Sequence, residues 1–115
     1  MKIYSKNNVL FEAEKRIHRL FDDFENVVVG FSGGKDSTVC LNLTLKIAEE
    51  RNRLPLKVLW VDQEAEWQGT ADYCESVFED KRIEPMWFQM YRRIVSISIY
   101  GKRVLSTCEN APKYQ

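Results

Sequence analysis

The chain has 115 residues, the size of one domain that can bury its own core but small for a complete nucleotide-dependent enzyme. Lys+Arg and Asp+Glu both number 17, so the zero formal charge offers no electrostatic footprint for nucleic acid. No apolar run approaches the ~20 residues that cross a membrane, and "MKIYSKNNVLFEAEKR" lacks a secretory apolar region, so the expectation is a cytoplasmic protein without a membrane partner.

From Val9 to Phe24, apolar residues at Leu10, Ala13, Ile17, Leu20, Phe21 and Phe24 follow helical spacing, with Asn7 or Asn8 as N-cap. His18 sits among Arg16 and Arg19 on this helix and reads as a solvated surface residue. Residues 27–31, "VVVGF", are a continuous apolar run, as in a parallel strand covered on both faces. Ser37 to about Glu50 predicts a helix with Val39, Cys40, Leu43 and Ile47 on one face. "LKVLWVD" (56–62) predicts a second strand after Pro55, and the acidic stretch "DQEAEWQG" follows it. Thr70 to Asp80 predicts a third helix with Ala71, Cys74, Val77 and Phe78 inward. "IEPMWFQM" (83–90) predicts a third strand whose Pro85 suits its start or a sheet edge. Trp60 and Trp87 are expected in the core.

In the last part, Ile94 to Tyr100 alternates as a half-buried strand does, and Gly101-Lys102 can turn the chain toward Val104 and Leu105, with a helix as the alternative. The order strand–helix–strand–helix–strand argues for an α/β fold with a parallel sheet and right-handed crossovers. The cysteines Cys40, Cys74 and Cys108 are widely spread without a C-x-x-C, which excludes the usual zinc and iron–sulfur spacings and reads as free thiols. Cys40 and Cys74 fall at apolar helix positions and are expected to be buried.

The chemistry concentrates in "VVVGFSGGKDSTVCLNLTL" (27–45). A loop between a buried strand and a helix N-terminus offers unpaired backbone N–H groups and the positive end of the helix dipole to an anion. Gly33 and Gly34 allow close backbone approach, Ser32 and Ser37 add hydroxyls, and Lys35 adds a cation. Asp36 suits a helix cap or a magnesium ion carried by a nucleotide. The loop is not a Walker A motif, because Asp36 follows Lys35 and Gly30 lies four rather than five positions before Gly34. The dinucleotide pattern G-x-G-x-x-G fails on spacing as well.

"SGGKDS" after an apolar strand resembles the PP-loop, S-G-G-x-D-S, of the ATP pyrophosphatase (adenine nucleotide alpha-hydrolase) superfamily. Within it the chain is most similar to the phosphoadenosine phosphosulfate (PAPS) reductase-related group and, more narrowly, to IbrA-type proteins of bacteria and their phages. The resemblance runs through "NNVLFEAEKRI", "FSGGKDSTVCLNL" and "LWVDQEAEW" to "IEPMWFQM". It implies one PP-loop nucleotide-binding domain over 1–115, with 1–90 matching the family and 91–115 a tail of open structure. It also implies a Rossmann-like (HUP-type) three-layer sandwich with a short, mostly parallel sheet, or an incomplete half of it, since relatives are longer.

The resemblance implies ATP and magnesium as cofactors and cleavage of ATP between the α- and β-phosphates. Carried over residue by residue, Phe31, Ser32, Gly33, Gly34, Lys35, Asp36 and Ser37 would hold the nucleotide, with Lys35 and Asp36 catalytic and Asp36 nearest the metal. The backbone around Val61 and Asp62 would approach the adenine, and Glu64 joins the candidate site from the acidic loop. Asp62, Glu64 and Glu66 could each hold magnesium, orient a ribose or position an amine substrate, but Glu66 and Trp67 are rather expected to begin the next helix or to pack on its base.

Two departures qualify this. PAPS reductases resemble one another in a degenerate loop and a cysteine in an E-C-G-[IL]-H setting, whereas this loop is intact and Cys108 lies in "STCENAP". The loop is closer to those of ATP sulfurylase small subunits and DndC-like DNA phosphorothioation proteins. In the related fold a fourth strand flanks the first, and its place here falls to residues 95–99, a protein partner or a second copy. The leading expectation is thus adenylation of an unknown acceptor. The alternatives are a vestigial nucleotide-binding accessory protein and a thiol-dependent PAPS reductase.

Overall fold

The computed structural model describes residues 6–63 and 66–89, together with the backbone of 94–97 and 103–106. Its elements are α1 (Val9–Asp23), β1 (Val28–Gly30), α2 (Lys35–Glu50), β2 (Leu56–Asp62), α3 (Gln68–Phe78), β3 (Ile83–Gln89), β4 (Ile94–Ile97) and β5 (Arg103–Ser106). This is the α/β, Rossmann-like class expected. The main sheet has the order β1-β2-β3, and both pairings are parallel. Both crossovers step in the same direction, and right-handed connections then place α2 and α3 on one face. The sheet is short, and among the described residues no helix covers the second face, so two of the three layers of a full sandwich are described here.

Burial follows that asymmetry. Leu56, Val58 and Trp60 alternate along β2 as buried residues, while Lys57, Leu59 and Val61 point to the other face and are half-buried. The helix side of the core adds Leu41, Leu45, Ile47 and Ala48 from α2, Cys74 from α3, Ile83 from β3, and Phe21 and Phe31. Val28 on β1 is 47% exposed and Phe88 on β3 is 51% exposed, which leaves apolar side chains on the open face.

Several expectations shift for this reason. In α2 Ile47 is buried as expected, and the other inward positions are Leu41, Thr44, Leu45 and Ala48, an i, i+3, i+4, i+7 set. Val39 is 58% exposed and Cys40 is also exposed, contrary to the expected face. The helix is rotated so that its buried positions meet the sheet and α1, which leaves Val39 and Cys40 on the outer side. In α1, Phe21 is buried and Ile17 partly so, whereas Leu10, Leu20 and Phe24 stay exposed because α2 is its main neighbour. Trp60 is buried as expected, but Trp87 is 40% exposed on the edge strand and stacks on Trp60 with ring centroids 4.8 Å apart. Pro85 lies in β3, which pairs only with β2, so its missing N–H interrupts no ladder.

Among the described residues of the tail, neither 94–97 nor 103–106 fills the place beside β1. β4 pairs antiparallel with β5 in a separate two-stranded sheet, with Val95 opposite Leu105. Residues 98–102 lie outside the described residues, as do the expected Gly101-Lys102 turn and Ile99. The physical reason is chain reach: β4 begins soon after β3, at the edge opposite β1. A hairpin closes locally, whereas pairing beside β1 requires the chain to span three strand spacings, ~14 Å, first.

α1 starts at the expected cap: Phe11 N–H donates to Asn8 Oδ1 at 2.8 Å. Its C-terminus lacks basic residues of its own, and Arg53 supplies them from the α2–β2 connection. The Arg53 guanidinium donates to the carbonyls of Phe21 (3.4 Å), Phe24 (3.3 Å) and Glu25, and lies over the Phe21 ring at 5.7 Å. A cation on the last carbonyls satisfies orphaned acceptors and complements the dipole. Lys46–Glu14 at 2.9 Å and the Arg51–Asp22 pair add exposed links between α1 and α2, with His18 Nδ1 3.3 Å from Arg51. His18 is 40% exposed, which keeps it in contact with solvent.

Arg53→Met keeps the aliphatic stem but leaves these carbonyls without their donor. Loss of about 1–3 kcal/mol is expected from charge-assisted bonds, read as a lowered denaturant midpoint; an unchanged midpoint would show that Arg53 does not fasten α1.

Candidate functional site

The site is built where β1 meets α2. Phe31 N–H donates to Leu59 O at 2.8 Å, which carries the β1–β2 ladder one residue beyond the strand. The Phe31 ring is buried and tilted against Tyr73 at 5.9 Å, so this residue anchors the loop from the core side. The chain then turns at Gly33, whose φ of +72° lies in the left-handed region. A Cβ there would sit 2.9 Å from both Cys74 Sγ and Thr70 Cγ2, so Gly33 is required by conformation and by space. Gly34, with φ −79°, is the N-cap of α2 and makes no side-chain cap bond.

The carbonyl of Gly34 is the focus of the loop. It accepts from Thr38 N at 3.0 Å, Thr38 Oγ1 at 2.9 Å and Ser37 Oγ at 2.9 Å. A trans peptide holds its N–H opposite its carbonyl, so pinning this oxygen toward the helix turns Lys35 N–H outward from the N-terminus. Ser37 has one proton and gives it to Gly34, so the 3.1 Å contact with Ser32 runs from Ser32 Oγ to Ser37 Oγ. Ser32 N–H also reaches Ser37 Oγ, at 3.4 Å. Both serine hydroxyls, expected as phosphate donors, therefore direct their protons into the loop itself. The outward donors are the first amides of α2 and the exposed side chain of Lys35, with exposed Asp36 beside it.

A cavity of about 250 Å³ opens at the carboxyl ends of β1 and β2, lined by Gly30, Phe31, Ser32, Leu59, Trp60, Val61, Gln63 and Glu66. Ligands of open α/β sheets bind at this end of the strands. Val61 lies on its wall, and Asp62 ends β2 next to it, accepting from Trp87 Nε1 at 3.3 Å. Glu64 lies outside the described residues. Among the described residues, a larger concavity of about 490 Å³ is lined by α1, including Lys15 and Asp22.

The structure thus gathers residues 31–37 with Val61 and Asp62 around one end of the sheet. Sequence reasoning missed Gln63 as a cavity wall, although its place just after β2 was the available signal, whereas Glu66, weighed with the acidic loop, does line it. It also missed Thr70, Tyr73 and Cys74, whose contact with the loop no local pattern encodes. Trp67 precedes α3 as its N-cap but is 85% exposed rather than packed. Among the described residues no group of three or more His, Cys, Asp and Glu could hold a metal ion.

Cys74 is fully buried beneath Gly33. Burial, and then the negative charges of Glu66 and Asp62, push its thiol up to about 11. It is a neutral packing group at physiological pH rather than a nucleophile.

Gly33→Ala is expected to cost about 1–3 kcal/mol through strain at positive φ together with overlap on α3. Gly34→Ala, whose Cβ would meet only Ser32 Oγ at 3.6 Å, should cost less than the Gly33 change. Equal denaturation midpoints for the two variants would contradict this. Because the folded-state thiol of Cys74 titrates above its ordinary value of 9.0, the folded state holds its proton longer than the unfolded chain. Stability from this group is therefore complete below pH 9.0 and is lost as pH rises toward about 11. Cys74→Ala should flatten that alkaline decline in melting temperature, and in native protein at pH 8 iodoacetamide should label the Cys40 peptide but not the Cys74 peptide.

Residues 26–96 match the phosphoadenosine phosphosulfate reductase domain model. Over 72 residues the chain is 38% identical to the uncharacterized protein YbdN of Escherichia coli (strain K12), covering 63% of this chain. It spans only 18% of the length of YbdN. The matched region begins just before β1 and takes in the loop, both crossovers and β3, and on that extent the chain belongs to the phosphoadenosine phosphosulfate reductase domain family.

Proposed function

We propose that the chain binds ATP at the 31–37 loop and takes part in cleavage between the α- and β-phosphates, adenylating an acceptor and releasing pyrophosphate. This reading includes the PP-loop assignment and the nearer kinship with IbrA-type proteins of bacteria and phages. The observation that carries it is the Gly34 carbonyl held by three donors, which turns the first amides of α2 outward beside exposed Lys35. Those amides, the helix dipole and Lys35 are preorganised for charge on a departing pyrophosphate, and such donors need no rearrangement as the charge develops.

The remaining groups fit a nucleotide at the level of chemistry. Leu59, Val61 and the Gly30–Phe31 backbone form an apolar wall suited to a base, with Asp62, Gln63 and Glu66 at its rim as acceptors for ribose hydroxyls or an amine substrate. Exposed Asp36 offers one carboxylate, the kind of partial ligand set that suits magnesium already held by phosphates. When bound, such an ion neutralises phosphate charge. Asp36 would orient the metal–nucleotide pair, and Lys35 would hold the phosphates.

A second reading, a nucleotide-binding accessory protein acting through a partner chain or a second copy, is favoured by the open edge of β1 and its exposed Val28. Thiol-dependent PAPS reduction gains nothing from Cys74, which is buried and neutral.

The test is titration of purified protein with ATP and magnesium, followed by analysis for AMP and pyrophosphate with candidate acceptors. ATP binding that weakens about tenfold or more in Lys35→Ala is expected from loss of a charge-assisted contact. AMP and pyrophosphate should form with wild type and fail to form with Asp36→Ala. Absence of ATP binding would sink the nucleotide reading, and binding without turnover would select the accessory role.

A further inference from the structure

Helix α3 touches the loop before, within and after its turn. Tyr73 packs its ring on Phe31 at 5.9 Å; Cys74 and Thr70 lie against Gly33; and the Tyr73 hydroxyl is 3.3 Å from Thr38 Oγ1. Residues 70, 73 and 74 have i, i+3, i+4 spacing, so one helix face makes all these contacts. Thr38 Oγ1 donates its single proton to Gly34 O at 2.9 Å, which leaves Tyr73 as the donor in the hydroxyl pair. A relay therefore runs from Tyr73 to Thr38 to the Gly34 carbonyl, the atom that sets the direction of the first outward amide of α2. Tyr73 is 39% exposed, so its hydroxyl has access to water and is not driven to Thr38 by burial alone.

We propose that Tyr73 is a positioning residue for the anion-binding loop: its hydroxyl fixes Thr38 and, through it, the Gly34–Lys35 peptide, with Thr70 and Cys74 bracing Gly33 from beneath. The proposal rests on the reading of residues 31–37 as a phosphate cradle and adds to it a control element on a different helix. The Tyr73 ring holds Phe31, whereas its hydroxyl acts on the peptide orientation, so the two roles separate in Tyr73→Phe. A polarised chain of hydroxyls also strengthens each bond in it, so removing the first donor weakens the grip of Thr38 on Gly34.

The experiment is calorimetric titration of the full chain with ATP–magnesium and with inorganic pyrophosphate, using wild type, Tyr73→Phe, Thr38→Val and the double variant, alongside urea denaturation of each. Tyr73→Phe should bind both ligands roughly three- to tenfold more weakly, the size of one hydrogen bond's net contribution. Its urea midpoint should stay close to that of wild type. Thr38→Val should show at least the same loss. The double variant should bind no worse than Thr38→Val alone, because the relay is already broken at its middle. Wild-type affinity in Tyr73→Phe, or additive losses in the double variant, would overturn the positioning role while leaving the cradle intact. A wild-type chain that binds neither ligand overturns the cradle and this proposal together, so the two failures are distinguishable.

Discussion

The arrangement depends on the contact between the backbone of Gly33 and helix α3. With a Cβ position 2.9 Å from both Cys74 Sγ and Thr70 Cγ2, there is room only for hydrogen at this point of the turn. That closeness lets the chain leave β1, reverse over α3 and enter α2 within four residues. A wider turn would move the first turn of α2, with its orphaned amides, away from the carboxyl end of the sheet. Anion binding at a helix N-terminus needs amides that converge on one point, and convergence is a matter of backbone packing before it is one of side-chain chemistry.

The same packing decides which side chains do chemistry and which hold the frame. Ser32 and Ser37 have the residue types of phosphate donors, yet their protons close the loop on itself through Ser37 Oγ and the Gly34 carbonyl. Cys74 has a reactive side chain, yet burial together with Asp62 and Glu66 keeps its thiol protonated. Lys35 and Asp36 are left as the exposed charges at the head of α2. They are opposite charges on successive residues at one helix N-terminus, where the dipole favours the carboxylate and leaves the ammonium free to extend into solvent.

Around this site the fold is one-sided. α2 and α3 bury one face of a three-stranded sheet, and Arg53 ties α1 to the same layer by capping its last carbonyls. Among the described residues nothing pairs with the outer edge of β1, which is blunted by its length of three residues. The hairpin of β4 and β5 forms its own sheet and does not pair with β1, because a local antiparallel pairing closes a shorter loop.

Much of this was legible in the sequence. Local patterns are enough for the run "LKVLWVD" to give β2 at its observed bounds, for the cap of α1 to be narrowed to Asn7 or Asn8, and for Ala71, Cys74, Val77 and Phe78 to mark the inward side of α3. The composition of "SGGKDS" likewise determined that a strand-to-helix loop with an exposed N-terminal charge pair would form, since glycine, hydroxyl and helix-capping preferences act within a few residues. What only the tertiary structure decided is rotation, coverage and convergence. Val39 and Cys40 share helical spacing with buried neighbours yet face outward, because the buried row depends on where the sheet lies. Trp87 is half-exposed because β3 is an edge, and Tyr73 meets Thr38 across 35 residues of chain. Periodicity reports that a helix has an apolar face; the neighbour that uses that face is chosen by long-range packing, which no local stretch of sequence encodes.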